Sequence, residues 1–545
     1  MASTPTTKSQ VQAYRFVLRR MQSALVRRDA VMLHDPMRTH SRATAVGVLL
    51  GIIGMIGFLI FGFFSPDPQV DGQTQIAISK ETGQVYVVRE GNPRTLIPMT
   101  NLASARLLLL QRQQPDAGQA SVAGSDAPAG QVNQGPQVAG GEPKLVSEKA
   151  LSKLPKGRLT GIPDGPDVLP KPEDRIGSDW SVCDTLTLDE SLNDPSAPGK
   201  FTTTVLAGYS GGGELLDGNR ALLVRAGTDD KQAYLIYKAP QDSKITSTST
   251  VRAKVDLDKS EVRTALNLSQ KKPRAVSTGL LNAIPEAKPL VAPEIPGRGQ
   301  AVTYVTGQNL KVGDVIEVRR TGAGPTFYVA LKDGLQDITR AAGDLIRATY
   351  AQGEPKLVDI ARINDAPTTE QLDFDDYPAD VPEILDPNQN NRVICLGWQA
   401  QNVTSDNKSQ HTKVTIAPSL PIPSGVAPVD INQVGATGEV VSQFVMAPGK
   451  SAVVRSATST EDFKSGPIHL ITGRGVKYGI PDGVTAGGLG LGADGFAPGP
   501  ESILRLLPNG PQLNRNDAIR SWDSIPVPKS NSLLPEEQAA KKQGG

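Results

Sequence analysis

The stretch "MRTHSRATAVGVLLGIIGMIGFLIFGFF" (residues 37–64) decides how this chain is organised. It opens with scattered basic residues and then runs from Ala43 to Phe64 without a charged side chain. A helix of that length rises about 33 Å, which matches the hydrocarbon thickness of a bilayer. A cleaved signal peptide would have a shorter apolar region and a small-residue cleavage pattern after it. The stretch therefore predicts an uncleaved transmembrane helix over residues 43–64.

The charges around this helix predict its orientation. Basic residues outnumber acidic ones in residues 1–42, and Arg38 and Arg42 lie directly before the apolar run. Because Lys and Arg are retained on the cytoplasmic side of a membrane, we expect a cytoplasmic N-terminus and an exported C-terminal bulk. No later run stays apolar for the ~20 residues that a span needs, so the sequence predicts that the chain crosses the membrane once.

The arm before the span has the spacing of an amphipathic helix. Arg15 and Arg19 fall on one face, and apolar residues recur at helical intervals on another. The apolar residues are Val11, Tyr14, Val17, Leu18, Met21 and Leu25. Such a helix can lie on the inner leaflet or dock on a cytoplasmic partner, and the sequence leaves both alternatives open.

Similar segments recur along the exported part. Residues 142–157, 272–290 and 497–513 share a Val or Glu followed by Ser, then a leucine-rich helical turn that closes on Pro and a small loop, whereas residues 354–364 keep the opening Pro-Lys-Leu-Val and then diverge. Each segment follows a stretch in which apolar and polar residues alternate around Gly, Asn or Pro, as a β-hairpin requires. The hairpin stretches are residues 84–98, 232–246, 326–339 and 467–481. The pattern predicts four α/β repeats.

The two cysteines of the chain open two similar β-rich stretches. "DWSVCDT" leads into "KFTTTVLAG" and "ALLVRAG", and "RVICLGWQ" leads into "HTKVTIAP" and "SAVVRSA". We interpret these as two halves of a central β domain related by a two-fold axis. In an oxidising compartment the pattern favours a Cys183–Cys395 disulfide across the halves over two buried free thiols.

These patterns predict an α+β chain with the following boundaries. Residues 111–142 are rich in Gly, Ala, Gln and Pro and are expected to be a disordered insertion in the first repeat. The expected segments are the cytoplasmic arm 1–42, the transmembrane helix 43–64, repeat 1 at 65–175, the first central half at 176–231, repeat 2 at 232–296, a central β segment at 297–325, repeat 3 at 326–390, the second central half at 391–457, repeat 4 at 458–514 and an extended or disordered tail at 515–545.

Taken together, these residues resemble one family. The arm "TTKSQVQAYRFVLRRMQSALVRRD", the entry "HDPMRTHSRA", the exit "SPDPQ", the paired cysteines and the four repeats are similar to EccB, a membrane-complex subunit of type VII (ESX) secretion systems. The resemblance implies a single-pass subunit of the inner (cell) membrane whose C-terminal bulk is a propeller-like periplasmic domain of four repeats around a disulfide-linked centre. It also implies assembly with copies of itself and with subunits of the EccC, EccD and EccE type. The long insertion and the extended tail depart from a typical member.

Members of this family are sometimes labelled ATP hydrolases, so a phosphate-binding loop is relevant. The P-loop needs a first Gly four residues before Gly-Lys-Ser/Thr, at the start of a helix. In "FVMAPGKSAVV" Gly449, Lys450 and Ser451 fit, but Phe444 replaces the first Gly and a β-branched run follows. In "DPSAPGKFTTTV" Asp194 stands at that position. Both stretches are predicted to be turns before strands, and no cofactor is expected, since ATP lacks a supporting motif.

Other chemistry is weakly represented. His411 and His469 are the two histidines of the exported part, and no G-x-S-x-G elbow accompanies them, so we expect no catalytic residues. No His and Cys cluster at ligand spacing, so no metal site is expected. The acidic run "DFDDYPAD" (373–380) lacks the Gly and terminal Glu of a calcium loop and is interpreted as a solvated face.

Composition limits the remaining functions. A net charge of +1 over 545 residues gives no reason to expect nucleic acid as a partner. The favoured hypothesis is a structural, oligomerising subunit of a secretion complex. The alternatives are a peptidoglycan-binding anchor, for which aromatic residues are few at 4% of the chain, and an ATP hydrolase subunit.

Overall fold

The computed structural model describes a large part of the chain. The described residues are 7–28, 36–64, 70–113, 138–228, 230–238, 240, 250–320, 322, 324–431 and 441–521. They fall into two compact units, Met1–Gln69 and Val70–Gly545. The described part is a mixed α and β structure in which the first unit contributes helices and the second unit contributes all of the β-sheets.

The helices within these residues have the following bounds. They are α1 (Lys8–Arg27), α2 (Pro36–Phe64), α3 (Leu102–Gln113), α4 (Glu148–Leu151), α5 (Ser260–Ala265), α6 (Thr278–Ala283), α7 (Arg340–Thr349), α8 (Ile360–Ile363), α9 (Asp462–Ser465), α10 (Gly483–Gly488), α11 (Glu501–Leu504) and α12 (Arg515–Ala518).

The strands are mostly short. They are β1 (Ile76–Ser79), β2 (Val85–Arg89), β3 (Thr95–Met99), β4 (Lys144–Val146), β5 (Trp180–Leu186), β6 (Phe201–Ala207), β7 (Glu214–Leu215), β8 (Arg220–Ala226), β9 (Ala233–Lys238), β10 (Thr250–Val255), β11 (Arg274–Val276), β12 (Val315–Val318), β13 (Thr326–Ala330), β14 (Leu335–Ile338), β15 (Lys356–Leu357), β16 (Glu383–Ile384), β17 (Val393–Gln401), β18 (Ser409–Ala417), β19 (Val429–Asp430), β20 (Gln443–Val445), β21 (Ala452–Ala457), β22 (Ile468–Ile471), β23 (Lys477–Ile480) and β24 (Ala497–Pro500).

Four sheets of the second unit share one topology. Each is built from an antiparallel three-stranded meander whose first strand also pairs in parallel with a later fourth strand, and a short helix follows that fourth strand. The strand orders are β3-β2-β1-β4, β10-β9-β8-β11, β14-β13-β12-β15 and β23-β22-β21-β24. We call them sheets 1 to 4 in chain order. Sheet 2 has one additional strand, because β16 pairs in parallel with β8.

Three strands lie in a different sheet from the one that the sequence predicted. The run "ALLVRAG" was assigned to the first central half, but it forms β8, the inner strand of sheet 2. Likewise "SAVVRSA" forms β21 in sheet 4, and the predicted central segment 297–325 contains β12 of sheet 3. The physical reason is that β8, β12 and β21 each lie between two partners: the following hairpin on one side and the parallel fourth strand on the other. Alternation of apolar residues is the same in either sheet and does not identify the partner.

A seven-stranded sheet, which we call the central sheet, contains the two cysteine strands. Its order is β19-β20-β6-β5-β17-β18-β7. Strands β5 and β17 are antiparallel neighbours in the middle, and each pairs on its other side with the long strand that follows it in the sequence. The pairs β5–β6 and β17–β18 therefore flank a local two-fold relation between β5 and β17.

Hydrophobic packing connects the sheets in pairs. One core joins sheets 2 and 3, where α5 packs on α7. Another joins the central sheet to sheets 2 and 4, where α6 packs on α11 and both helices contact β5. Helix α3 of the first sheet packs on α10 and α12, which follow in the fourth repeat and after it.

Two segments that were predicted to be disordered contain residues with defined structure. The predicted insertion at 111–142 begins inside α3, and the backbone N–H of the buried Ala139 donates to the Gly488 carbonyl at 3.0 Å; residues 114–137 lie outside the described residues. The predicted tail at 515–545 begins with helix α12. Its Ala518 is fully buried because it packs in one apolar cluster with Ala103 and Leu107 of α3. Residues 522–545 also lie outside the described residues.

Candidate functional site

The first functional element is the long helix α2. Within the described residues it is the one helix that is long and apolar enough to cross a membrane, with a candidate span at Ser41–Phe61. Every side chain of that span is exposed, as expected of a surface that would face lipid. The helix begins at Pro36, which suits a first helical turn, so Arg38 and Arg42 lie inside the helix and not before it. The predicted anchor from Ala43 to Phe64 falls wholly within α2.

Helix α1 presents an apolar stripe that the described residues leave uncovered. The helix starts where the backbone N–H of Thr7 donates to Gln10 Oε1 at 2.9 Å, half of a capping box. The predicted apolar residues are all exposed by 40% or more; they are Val11, Tyr14, Val17, Leu18, Met21 and Leu25. The predicted apolar residues of the arm therefore lie on one helix, Lys8–Arg27. Its two predicted binding modes, membrane leaflet or partner protein, stay predictions.

The disulfide lies at the middle of the central sheet. Cys183 of β5 and Cys395 of β17 are bonded, and they are directly opposite each other in the antiparallel register with Cα atoms 4.0 Å apart. Both residues are buried, in an apolar cluster that includes Leu206 and Val445. The bond connects positions 212 residues apart, so it fixes the junction between the two halves of the central sheet.

A buried carboxylate next to the disulfide connects the central sheet to sheet 2. Asp184 Oδ1 accepts hydrogen bonds from the hydroxyls of Thr203, at 2.8 Å, and Ser277, at 2.9 Å. Its Oδ2 accepts from the Ser277 backbone N–H at 2.6 Å, and Ser277 is itself the N-cap of α6. Burial raises the pKa of Asp184, and these hydrogen bonds oppose that rise. The carboxylate thus anchors the start of α6 to strands β5 and β6.

A buried arginine continues this junction. Arg274, at the start of β11, donates to the carbonyls of Asn391 at 2.8 Å and Arg392 at 2.9 Å, directly before β17. Burial lowers the pKa of Arg274 to about 10, with partial compensation from the Asp184 charge. Sequence reasoning missed both groups. The available signal was an acidic residue inside the apolar strand of Cys183, since charged residues are seldom buried unless hydrogen-bonded or paired.

Helices α6 and α11 pack against each other beside the local two-fold relation. Gly279 of α6 lies so close to Leu506 that a Cβ at residue 279 would be 2.9 Å from Leu506 Cδ2. Leu280 of α6 and Ile503 of α11 are fully buried in the core that this pair shares with the central sheet. Sheets 2 and 4 are therefore joined to the central sheet through their fourth-strand helices.

The Gly-Lys-Ser stretch does not have the surroundings of a P-loop. Gly449 has a φ of +75° in a turn that leads into strand β21 and not into a helix. Lys450 Nζ donates to the Glu173 carbonyl at 2.6 Å, and the Ser451 backbone bonds the segment 174–176. The predicted turn before a strand is therefore what the structure has at this position. At the second stretch Asp194 accepts from Ser196 in a local turn before β6.

His411 and His469, the two histidines of the second unit, lie in different sheets. His411 is exposed on β18, where its Nε2 is 3.1 Å from Ser409 Oγ. His469 is half-buried on β22, and its Nδ1 has no hydrogen-bond partner among the described residues. Burial, with the nearby Lys477 charge, lowers the pKa of His469 to about 4. Within the described part of the chain no group of three His, Cys, Asp or Glu residues could hold a metal ion.

The acidic run at 373–380 is only in part the solvated face that the sequence predicted. Phe374 and Tyr377 are buried, with their rings edge-to-face at 5.3 Å, and the Tyr377 hydroxyl donates to the Val291 carbonyl at 2.6 Å. Asp373 forms an exposed ion pair with Lys288. The aromatic residues turn the run into a packing element of sheets 2 and 3, which charge density alone did not indicate.

Residues 3–527 match a family model described as "Type VII secretion system ESX-1, transport TM domain B". The match extends through both units and reaches beyond the last described residue.

Two relatives from Mycobacterium tuberculosis (strain ATCC 25618 / H37Rv) are similar over almost their whole length. The protein named ESX-3 secretion system ATPase EccB3 is 30% identical over 554 residues, covering 97% of this chain and 92% of that protein. The protein named ESX-1 secretion system ATPase EccB1 is 28% identical over 538 residues, covering 97% of this chain and 98% of that protein.

Solved structures share the fold. A chain from an intact ESX-5 inner membrane complex (composite C3 model) superposes with a TM-score of 0.64 at 23% identity, covering 98% of this chain and 99% of that chain. A chain from an EccB3 dimer of the ESX-3 core complex gives a TM-score of 0.63 at 24% identity, covering 82% of this chain and 100% of that chain.

Proposed function

Because the chain belongs to the EccB family of type VII secretion, we propose that it is a structural, oligomerising subunit of the inner-membrane core complex of an ESX system. The observation that carries this proposal is the length of the match. It includes the arm, the candidate span and the five sheets together, and the alignments cover 98% of the EccB1 relative and 92% of the EccB3 relative. Solved chains that share this fold come from an intact ESX-5 inner membrane complex and from an EccB3 dimer of the ESX-3 core complex.

The proposed orientation places the arm in the cytoplasm and the second unit in the periplasm. The flanking Arg38 and Arg42 favour retention of the N-terminal side, and α2 supplies the anchor from Ala43 to Phe64. The Cys183–Cys395 disulfide is consistent with this placement, since such bonds persist in oxidising compartments.

The proposed arrangement of the second unit is propeller-like. Sheets 1 to 4 would act as four repeats around the central sheet, with the domain boundaries given by the sequence adjusted for β8, β12 and β21. Copies would associate above the export path, together with subunits of the EccC, EccD and EccE type. Energy for export would then come from a partner.

Complex purification tests this function. The full chain would carry a C-terminal tag and be extracted in mild detergent, and the eluate would be separated on a native gel with identification by mass spectrometry. We expect a large assembly containing an ATPase and multi-span partners. A band at the mass of a monomer or dimer, with no such partners, would contradict the proposal and favour a wall-binding anchor.

The relatives carry the name ATPase, so hydrolysis is a second candidate function. In this chain the one lysine in a Gly-Lys-Ser stretch is bonded to the Glu173 carbonyl, and the loop precedes a strand. We propose a non-catalytic role. ATP turnover by the purified complex that falls to background in a Lys450→Ala variant, while assembly is retained, would overturn it. Turnover unchanged by that variant would assign hydrolysis to a partner or to another site.

A further inference from the structure

Sheets 1 and 3 each expose a leucine at the same position of the fold. Both carry the words Pro-Lys-Leu-Val, at residues 143–146 and 355–358, in the fourth strand. Leu145 is 55% exposed and Leu357 is 56% exposed. We call residues 143–146 with helix α4 the first PKLV surface, and residues 355–358 with helix α8 the second PKLV surface. Ile360 of α8 adds a further exposed apolar side chain to the second surface, at 41%.

The equivalent position is covered in sheets 2 and 4. The equivalent position lies in the fourth strand, two residues before the N-cap of the following helix. It is occupied by Ala275 in sheet 2 and by Pro498 in sheet 4, and both are buried. There the following helices, α6 and α11, pack on each other beside the central sheet. The fold thus contains an example of two fourth-strand helices covering one another. Sheets 1 and 3 have the same parts without a covering partner among the described residues.

The charges near the two surfaces have opposite sign. After Leu145 come Lys149, Lys153 and Arg158, which are exposed and have no ion-pair partner in the part of the chain that is described. Lys156 in the same turn is paired with Glu148 at 2.8 Å, so that pair is neutral. With the exposed Glu142 included, the side chains outside ion pairs in residues 142–158 are three basic and one acidic, so the first PKLV surface is apolar with a net basic surround.

The second PKLV surface has an acidic surround. Asp359, Asp365 and Glu370 are exposed without an ion-pair partner in the described residues. Lys356 and Arg362, the two basic side chains within residues 355–363, are already engaged: Lys356 binds Asp314 at 2.5 Å, and Arg362 donates to the Gly307 carbonyl at 2.8 Å. Opposite potentials around an apolar centre are the arrangement that steers and orients a protein contact.

We infer that the first PKLV surface of one copy of this chain binds the second PKLV surface of another copy. The inference rests on the proposed function as an oligomerising subunit, and it names the surface through which copies meet. Because the two surfaces differ, the contact is heterologous, so repetition produces a closed ring when the rotation between copies closes and an open chain when it does not.

Charge reversal tests the pairing in the full chain reconstituted in lipid nanodiscs or detergent. Lys149→Glu with Lys153→Glu places acidic groups against an acidic surface, and Asp359→Lys with Asp365→Lys does the converse. Asp359 makes no side-chain capping bond, so its replacement leaves α8 intact. We expect each double variant to weaken self-association about tenfold or more, measured by sedimentation, and a mixture of the two to recover it.

The matched control reverses two exposed lysines elsewhere, Lys171→Glu with Lys464→Glu. It has the same charge change and should leave self-association unchanged. Equal weakening by the control, or no recovery in the mixture, would overturn the inference.

Cysteine crosslinking gives an independent readout. The native cysteines are bonded to each other, so an introduced thiol is the single free one. A mixture of Leu145→Cys and Leu357→Cys chains should form a crosslinked dimer, whereas either variant alone, and Val168→Cys at another exposed site, should not. A dimer formed by Leu357→Cys alone, or none in the mixture, would contradict the pairing. If the charge variants keep their self-association and also co-purify with multi-span partners, the inference fails and the proposed function stands.

Discussion

Sheets 2 and 4 differ from sheets 1 and 3 in what covers their fourth strand, although all four share one topology. In the first pair the strand and its helix are buried against the central sheet, and the position in question holds Ala275 or Pro498. In the second pair it holds Leu145 or Leu357, and both are more than half exposed. The same structural unit is used twice to build the interior, in sheets 2 and 4, and twice to form the surface, in sheets 1 and 3.

The difference teaches where stability and association are located in this chain. Burial of apolar side chains contributes to folding only where water is excluded, so the buried fourth strands and helices around the central sheet contribute to the stability of the fold. An exposed leucine contributes little to folding and becomes useful when another surface covers it. Substitutions at the junction, at a buried and an exposed leucine, and at the two histidines test this comparison.

The largest expected effect comes from removing the disulfide at the junction. With Cys183→Ala and Cys395→Ala together, the unfolded chain regains the freedom of a loop of 212 residues. In the chain-entropy model this lowers the free energy of unfolding by about 5 kcal/mol. Denaturant unfolding of the solubilised full chain measures it, and reduction of the unaltered chain should give a similar loss. Two alkylatable thiols in the untreated protein would show that the pair is not bonded.

A glycine in the central sheet should give the next largest effect. A Cβ at Gly397 of β17 would lie 1.8 Å from the Ser210 carbonyl oxygen, which is backbone and cannot turn away. We expect Gly397→Ala to lower the free energy of unfolding by about 3 kcal/mol. Gly353→Ala is the matched control, since nothing lies within 4 Å of the added atom and its φ is unstrained. A melting temperature equal to that of the control would mean that β17 and the 210–211 loop are not in contact.

Matched leucines test the comparison directly. Leu280 is fully buried at the junction, so Leu280→Ala should cost about 2.5 kcal/mol. Leu357→Ala removes the same atoms from an exposed site and should change stability by less than about 0.5 kcal/mol. Thermal unfolding of both variants, under conditions where the chain is monomeric, measures the difference. Equal losses would show that the second PKLV surface is part of the folded interior.

How far the sequence predicted the fold depends on the range of the interaction. Hairpins such as Val85–Arg89 with Thr95–Met99 follow from local alternation and turn residues, and the structure has them. The sheet to which β8 or β21 belongs depends on a parallel partner tens of residues away, which alternation does not encode. The helix Arg515–Ala518 was missed because a four-residue helix next to a polar tail has too little pattern to be recognised.

The candidate site was predictable to a similar extent. An uncharged run of apolar residues and two cysteines in matching stretches are strong local signals, and they led to helix α2 and to the bonded pair Cys183–Cys395. The buried Asp184 and Arg274 were missed because their partners come from other sheets. The repeated Pro-Lys-Leu-Val words were visible, but only the structure shows that Leu145 and Leu357 are uncovered.

The smallest expected effect concerns pH, and it compares the half-buried His469 of sheet 4 with the exposed His411. The folded state holds the pKa of His469 at about 4, below its usual value of 6.5, because of burial and the Lys477 charge. Between those values the unfolded chain binds a proton that the folded chain does not, so stability is lost as pH falls through this window. His469→Gln removes that contribution, and between pH 7 and pH 5 the variant's melting temperature should fall by about 2 °C less than that of the unaltered chain.

His411→Gln is the control for this effect, because His411 is exposed on β18 and its replacement leaves the half-buried His469 in place. The control should lose as much stability on acidification as the unaltered chain. If both variants reduced the loss equally, the pH dependence would arise from general charge and not from the interior of sheet 4. If neither did, the neighbouring Glu501, which favours the protonated imidazole, would offset burial more strongly than the contacts indicate. Both of these outcomes would contradict the distinction between the buried His469 of sheet 4 and the exposed His411 of β18. A smaller loss in His469→Gln alone would support it.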